Sequence, residues 1–312
     1  MIPPPSPAAN NMRGAVTFGL LGCAAGHGML TWPPNRVGGT MRRAAAGGDM
    51  DMATFANASW YTQNAHIPGK ATNCGEFVTG IKCGTRDATQ PWRAPGTTPV
   101  YSPCGAYCYD QGTYSAVGCT IGQSYDDDDN WEVKDGRDLP KSKRTVWTAG
   151  GAAKVAFTAL FNHGGGYAYR LCPASAAEQS EACFQQHHLQ FASNETTVRW
   201  TNGTEASYPA LTMTSGTHPA GSHWRTIRIP SCSTTTPSIC GHELLPAPCD
   251  GCCAHHCDRW HYSLMDDIAI PATLAPGDYT LSWRWDAEIN HQVWQGCADV
   301  TVVAAAGTSA SA

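Results

Sequence analysis

The second half of the chain carries short runs of alternating apolar residues, and this pattern restricts the chain to a β-rich fold. Val155, Phe157, Ala159 and Phe161 recur at every second position, as in a strand that turns one face to a core. A glycine turn and a second run, residues 167–171, follow directly. Further strand candidates are residues 196–200, 223–230, 260–271, 277–286 and 297–303.

The spacing of these runs favours an antiparallel β-sandwich, because such folds are built from several short strands separated by turns. We expect residues 260–271 and 277–286 to form a pair around a turn at Pro276-Gly277. Residues 27 to about 144 show few periodic runs and hold five cysteines among Gly, Pro and Thr. The sequence therefore predicts a mainly β sandwich with long loops stapled by disulfides.

The cysteine count and an N-terminal leader indicate an exported protein. Residues 1–26 resemble a signal peptide: Arg13 precedes the apolar run 15–21, and Ala24-Ala-Gly26 is a typical cleavage site. Met12 is an alternative start, because residues 1–11 are Pro-rich and uncharged. One of the fifteen cysteines lies in the leader, and the remaining even number fits disulfides in a secreted chain. Glycosylation sequons begin at Asn57, Asn194 and Asn202.

Charge and hydropathy exclude other classes. The formal net charge is -5, and no basic run extends beyond Lys141–Arg144, so neither nucleic acid nor a membrane is an expected partner. The leader's apolar run is too short to anchor the chain in a bilayer. No two acidic residues are spaced as a convincing glycosidase pair. We expect a soluble, extracellular monomer with a frayed tail at 304–312.

Residues 240–257 form a cysteine- and histidine-rich insert that admits two interpretations. The segment contains six potential zinc ligands: Cys249, Cys252, Cys253, His255, His256 and Cys257. The same residues also suit a disulfide-knotted loop, which an exported chain with an even cysteine number favours.

Cleavage after Gly26 would make His27 the first residue of the mature protein, where it offers a metal both its α-amine and its imidazole. A second imidazole would complete a three-nitrogen site, a donor set that suits Cu(II). The pKa of a free α-amine is about 7.7–8.0, so a metal displaces its proton readily near neutral pH. His163 is the best candidate for the second imidazole, because it lies between a predicted strand and three glycines that would leave an open, flat surface. His291 is the rival.

Three motifs follow one another along the chain: "HGMLTWPPNR" from residue 27, "NHGGGYAYRLCP" from residue 162 and "VWQGCADVTV" from residue 293. Together they resemble lytic polysaccharide monooxygenases, most closely the chitin- and cellulose-active group of insects and other eukaryotes. The resemblance covers both ends and the core of residues 27–303, whereas residues 85–145 and 232–257 diverge. It implies one monooxygenase domain over 27–303 with an immunoglobulin- or fibronectin-III-like sandwich.

The resemblance also implies a single copper ion held by the amine and Nδ1 of His27 and the Nε2 of His163. With an external electron donor and hydrogen peroxide or oxygen, such enzymes abstract hydrogen at C1 or C4 of an insoluble β-linked polysaccharide, chitin or cellulose. Where the family usually has Tyr or Phe at the axial position, this chain has Trp294. Trp294 is interpreted either as an axial residue or as an ordinary packed Trp.

Other site residues are less sharply defined. Candidates for orienting bound oxygen or peroxide are Glu288, His291 and Gln292, with Glu76 a further option. Candidate aromatic residues for stacking on sugar rings are Trp32, Trp60, Tyr61 and Tyr167. Two alternatives to the enzyme stay open: a non-catalytic chitin- or cellulose-binding protein on the same fold, and a copper-binding protein without oxidation activity.

Overall fold

The structure is a computed structural model that describes residues 28–36, 61–63, 95–97, 100, 102–110, 119–120, 131–159, 165–200, 203–227, 262–287 and 292–305. For residues 61–63, 106–110, 119–120, 131–134 and 292 the description covers the backbone.

The described chain is mainly β. Its strands are β1 (Gly28–Trp32), β2 (Tyr61–Gln63), β3 (Ala106–Asp110), β4 (Cys119–Thr120), β5 (Trp131–Asp135), β6 (Thr145–Thr148), β7 (Ala152–Ala159), β8 (Gly166–Pro173), β9 (Gln190–Phe191), β10 (Glu195–Trp200), β11 (Glu205–Pro209), β12 (Thr212–Met213), β13 (Trp224–Thr226), β14 (Tyr262–Ala269), β15 (Gly277–Asp286) and β16 (Gln292–Val303). A short helix, α1 (Glu181–Gln185), follows β8.

Two sheets face each other. The first sheet has the order β1-β7-β14-β10-β11, with β9 also paired to β14; the second has the order β12-β13-β8-β15-β16-β2-β4, with β6 paired to β16. Most pairs are antiparallel, while β6 with β16 and β2 with β4 are parallel. Strands β3 and β5 form a separate two-stranded sheet. The prediction of a mainly β antiparallel sandwich is confirmed.

One core joins the two sheets, because alternate side chains of each strand point between them. Val155 and Phe157 of β7 belong to the same buried cluster as Leu281 and Trp283 of β15. The rings of Phe157 and Trp283 lie 5.1 Å apart, centroid to centroid. The alternating pattern around Phe157 therefore identifies core residues. The predicted run extends to Phe161, whereas the described strand β7 ends at Ala159.

The expected pairing of residues 260–271 with 277–286 is wrong. Strand β14 pairs with β7 and β10 in the first sheet, whereas β15 pairs with β8 and β16 in the second. The intervening turn, in which the Leu274 amide donates to the Pro271 carbonyl, carries the chain across the sandwich. Both strands have an apolar face, and each sheet of a sandwich covers the apolar face of the other. The apolar pattern is therefore the same whether two strands pair in one sheet or face each other across the core.

The outward row of β15 is polar yet buried. Thr280, Ser282, Arg284 and Asp286 alternate with the core residues of the same strand, and each is 0% exposed. Their polar groups are paired: Ser282 Oγ donates to the Pro103 carbonyl at 2.6 Å and accepts from Arg170 Nη2 at 2.8 Å. Hydrogen bonding offsets the desolvation that burial of such a row would otherwise cost.

Two disulfides hold loops against this polar row. Cys104 on the segment 102–105 is bonded to Cys297 of β16. Cys172 at the end of β8 is bonded to Cys183 of α1. The predicted stapling of loops by disulfides is confirmed for these two bridges, whereas residues 240–257 lie outside the described part of the chain.

Candidate metal centre at one end of the sandwich

Strand register brings the strand ends that flank His27 and His163 along the chain to one end of the sandwich. Gly28, the first residue of β1, lies opposite Ala159, the last residue of β7. In the second sheet, Gly166 at the start of β8 lies opposite Asp286 at the end of β15, and Asp286 lies opposite Val293 near the start of β16.

The two sheets meet closely at this end. A Cβ added to Gly28 would lie 2.8 Å from Cη2 of Trp283 and 3.1 Å from Cε3 of Trp285, so β1 starts directly on the indoles of the second sheet. The hydroxyl of buried Tyr262 donates to the Ala159 carbonyl and fixes the end of β7. The strand ends are thus rigidly packed, which suits a site that must hold its ligands in one geometry.

His27 and His163 themselves lie outside the described residues. His27 is bonded to Gly28, and His163 belongs to the segment that joins Ala159 to Gly165. Consecutive Cα atoms are about 3.8 Å apart, so both segments are attached within a few residues of the same end. Within the ranges that the structure describes, no group of three or more His, Cys, Asp or Glu residues is arranged to hold a metal ion.

Gly165, two residues after His163, packs closely against β15. It has φ +77°, and a Cβ there would lie 1.9 Å from the Asp286 carbonyl oxygen. Its own carbonyl accepts from the Ile227 amide at 3.0 Å. Gly165 and Gly166 are buried. Gly165 therefore lets the backbone approach β15, whereas the expected flat surface around His163 stays a prediction, because residues 160–164 lie outside the described part of the chain.

Trp294 is a core residue. It is 0% exposed, lies opposite Trp285 in the β15–β16 register, and its ring is 6.4 Å from that of Trp285 with an interplanar angle of 28°. This burial accords with the interpretation of a packed Trp near a strand start. Its axial role stays a prediction.

The remaining predicted residues fall into three groups. Glu76, Glu288, His291, Trp60, Asn57 and Asn202 lie outside the described residues. Gln292 and Tyr61 are described by backbone alone, in β16 and β2, whose register sets Tyr61 opposite Trp294. Trp32 is half-buried at the end of β1, and Asn194 is exposed just before β10.

Tyr167 is not a surface residue. It is 1% exposed and packs against Phe157 with ring centroids 4.4 Å apart. A side chain buried in the core offers no face to a sugar ring, so its assignment to the substrate surface is wrong. The alternation around residue 167 placed it equally well on either face of the sheet, because period alone does not say which face is covered.

An ion network beside this end was missed by the sequence analysis. Arg284 donates to Asp286 through Nε at 2.6 Å and Nη2 at 3.0 Å, and to Glu181 Oε1 through Nη1 at 2.8 Å. Arg170 also donates to Glu181 Oε1. Burial alone would raise the pKa of Glu181, but the two arginines outweigh it and hold that pKa below its usual value. The available signal was the pair of opposite charges two residues apart, Arg284 and Asp286, on the polar face of an alternating strand.

His188 lies beside the same arginines and is held neutral. Burial, followed by the charges of Arg170 and Arg284, lowers its pKa to about 2. Its ring is 5.8 Å from that of Trp224, centroid to centroid. These contacts make His188 a packing residue.

Comparisons with known proteins give weak likenesses. No protein-family model matches the chain, and no curated protein matches it. A solved structure of a cellulose-active lytic polysaccharide monooxygenase in complex with copper is similar at 14% identity and a TM-score of 0.34, over 89% of this chain and 100% of that chain. A lytic polysaccharide monooxygenase from Streptomyces lividans is similar at 12% identity and a TM-score of 0.26, over 53% of this chain and 64% of that chain.

A glycoside hydrolase of family 123 from Clostridium perfringens is similar at 10% identity and a TM-score of 0.24, over 51% of this chain and 23% of that chain. At such TM-scores none of these likenesses carries an argument about this chain.

Among the described residues, no helix has the length and apolar character needed to cross a membrane.

Proposed function

We propose that residues 27–303 form a single secreted, copper-dependent monooxygenase domain that oxidises an insoluble β-linked polysaccharide, chitin or cellulose. The observation that carries the proposal is the register of Gly28 with Ala159. It attaches the segments of His27 and His163 to the same end of the sandwich, and these residues carry two of the three motifs that resemble the family.

The donor set fits copper. The amine and Nδ1 of His27 with the Nε2 of His163 would supply three nitrogen ligands, which suit Cu(II) better than a hard cation. A bound copper ion would supply the one-electron chemistry needed to attack an unactivated C–H bond at C1 or C4. The chain's own part would be geometric: the packed strand ends at Gly28 and Gly165 are the described residues next to the two ligand segments, and they would restrict where those segments can lie.

The first experiment establishes the N-terminus and the activity. Mass spectrometry of the secreted protein is expected to give His27 as the first residue, and any other start removes the amine ligand. The copper-loaded protein, incubated with ascorbate as electron donor and hydrogen peroxide or oxygen, is expected to release oxidised oligosaccharides from chitin or cellulose.

The His163→Ala variant is expected to lose this activity and one imidazole from the Cu(II) electron paramagnetic resonance spectrum. The control is His187→Ala, because the backbone carbonyl of His187 bonds Leu171 toward the other end of β8. His187→Ala is expected to retain both properties. Polymer binding without oxidised products would instead indicate a carbohydrate-binding protein, and tight copper binding with neither would indicate a copper-binding protein.

A further inference from the structure

The carboxylate of Asp286 lies where the polar row of β15 reaches the candidate metal centre. Asp286 is the last residue of β15 and is 0% exposed. It accepts both bonds from the Arg284 guanidinium, and a third at 2.8 Å from the Gly96 amide. A buried carboxylate with three donors, two of them from a cation, is held firmly in one orientation.

Asp286 is also the backbone partner of the glycines that follow His163. Its register partner is Gly166, and its carbonyl oxygen is the atom on which a Cβ at Gly165 would collide. The position of Asp286 therefore sets where the backbone of residues 165 and 166 can lie. His163 is two residues from Gly165, so the two lie at most about 7 Å apart, and Gly165 is the first described residue after His163.

The loop at residues 95–97 is tied to the same carboxylate. Gly96 has φ +89°, and a Cβ there would lie 2.1 Å from the His218 carbonyl oxygen. The neighbouring Pro95 carbonyl accepts from the His218 amide at 2.9 Å. Asp286 thus connects β15 to the loop at 95–97 and to Gly166, and through Arg284 and Glu181 to α1.

We propose that Asp286 is a positioning residue for the candidate metal centre. Held by Arg284 and Gly96, its carboxylate fixes the end of β15 against Gly165 and Gly166, and so fixes the segment that carries His163. The inference rests on the proposed function in that it takes copper as the bound metal. The packing of residues 165 and 166 against Asp286 is expected in the metal-free protein as well.

Asp299 provides a matched control. It is also 0% exposed and accepts two bonds from one arginine, Arg36 Nε at 3.1 Å and Nη2 at 2.8 Å, and one from a backbone amide, Ser142 at 2.7 Å. It lies opposite Thr280, six residues from Asp286 along β15, which is about 20 Å. Its removal therefore disturbs an equivalent ion pair far from the candidate centre.

The test compares Asp286→Asn with Asp299→Asn, below the lower of their melting temperatures. Copper affinity, measured by competition with a chelating dye, is expected to fall about tenfold in Asp286→Asn, as when a residue that orients a ligand is lost. The Cu(II) resonance spectrum is expected to shift with it. In Asp299→Asn the affinity is expected to change by less than about twofold, because distant sites act independently.

Hydrogen exchange in the metal-free protein is the second measurement. Wild-type amides of Gly96 and of residues 165–167 are expected to be protected, and those of 165–167 to exchange faster in Asp286→Asn but not in Asp299→Asn. If Asp286→Asn does not fold, the double variant Arg284→Gln/Asp286→Asn is used in its place. It removes both charges of the buried pair, so that neither is left without a partner.

The outcomes separate the inference from the proposed function. If wild-type protein shows no copper site with an amine and two imidazoles, the proposed function fails, while the exchange measurement still reports on Asp286. If wild-type protein binds copper and Asp286→Asn matches Asp299→Asn in affinity, spectrum and exchange, the positioning role is overturned. Unprotected wild-type amides at Gly96 and 165–167 also overturn it, whatever the variants do.

Discussion

At the scale of single residues, Gly28 shows how the packing of one atom controls the candidate site. Its missing Cβ leaves room for the edge of Trp283, which a methyl group would approach to 2.8 Å. An alanine at residue 28 must push either the indole or the start of β1 away. His27 is bonded to Gly28, so a shift of the start of β1 would also bear on the proposed ligand geometry.

Gly28→Ala is therefore expected to lower the free energy of unfolding by about 1–3 kcal/mol, the usual cost of overpacking a core. The measurement is urea unfolding of the metal-free protein. Gly296→Ala is the control, because a Cβ at this other strand glycine meets nothing nearer than Leu30 Cβ at 3.6 Å. It is expected to be neutral, or stabilising by up to about 1 kcal/mol. Equal effects of the two substitutions would contradict the packing argument.

At the scale of elements, the sequence pattern predicted where strands lie better than it predicted which strands pair. The alternating pattern predicted β7, β10, β14, β15 and β16, because each buries one face and so repeats every two residues. It did not predict which strands pair, and the β14–β15 prediction failed. Burial requires only that an apolar face be covered, and a neighbouring strand or the opposite sheet covers it equally well.

The two described disulfides join different elements, and we expect them to contribute differently to the free energy of unfolding. Cys104–Cys297 closes a separation of 193 residues, whereas Cys172–Cys183 closes 11. In the chain-entropy account, loops of these lengths correspond to about 5 and about 3 kcal/mol. Replacing both cysteines of the first bridge by alanine should lower the urea midpoint more than the same change at the second.

Each disulfide variant serves as the control for the other, since each removes two buried or half-buried sulfurs. Urea unfolding followed by tryptophan fluorescence measures both. An equal or reversed order would show that strain or contacts in the folded protein outweigh the unfolded-chain entropy.

At the scale of the whole molecule, the sequence predicted the sandwich and proposed His27 and His163 as copper ligands, which stay a prediction, but it did not predict the side chains that pack around Asp286. His27 and His163 are recognisable from motifs that are continuous in sequence. The network around Asp286 joins Gly96, Glu181 and Arg284, and it depends on folded neighbours far apart along the chain. Tyr167 was misplaced for the same reason, because its burial depends on the facing sheet.

Buried ion pairs also determine how the whole molecule responds to acid. Burial alone would raise the pKa of Asp299, but hydrogen bonds and charge from Arg36 outweigh it and hold the pKa below 3.8. A carboxyl group with a depressed pKa contributes stability above its unfolded pKa and loses it as pH falls through the folded value. Asp299→Asn is expected to cost about 3–5 kcal/mol at pH 7, because it leaves Arg36 buried without its partner.

The difference in unfolding free energy between wild type and Asp299→Asn should accordingly shrink as pH falls below 3.8 and on through the lower pKa of the folded wild-type carboxyl, where that carboxyl becomes protonated. Urea unfolding at intervals from pH 7 to the acid limit measures this. Asp278→Asn is the control: Asp278 lies on the neighbouring strand β15, pairs with Arg144 at 3.2 Å and is 44% exposed at its side chain. It is expected to change stability by at most about 1 kcal/mol at pH 7. A difference for Asp299→Asn that stays constant with pH would show that shape, not charge, accounts for the contribution of this buried aspartate.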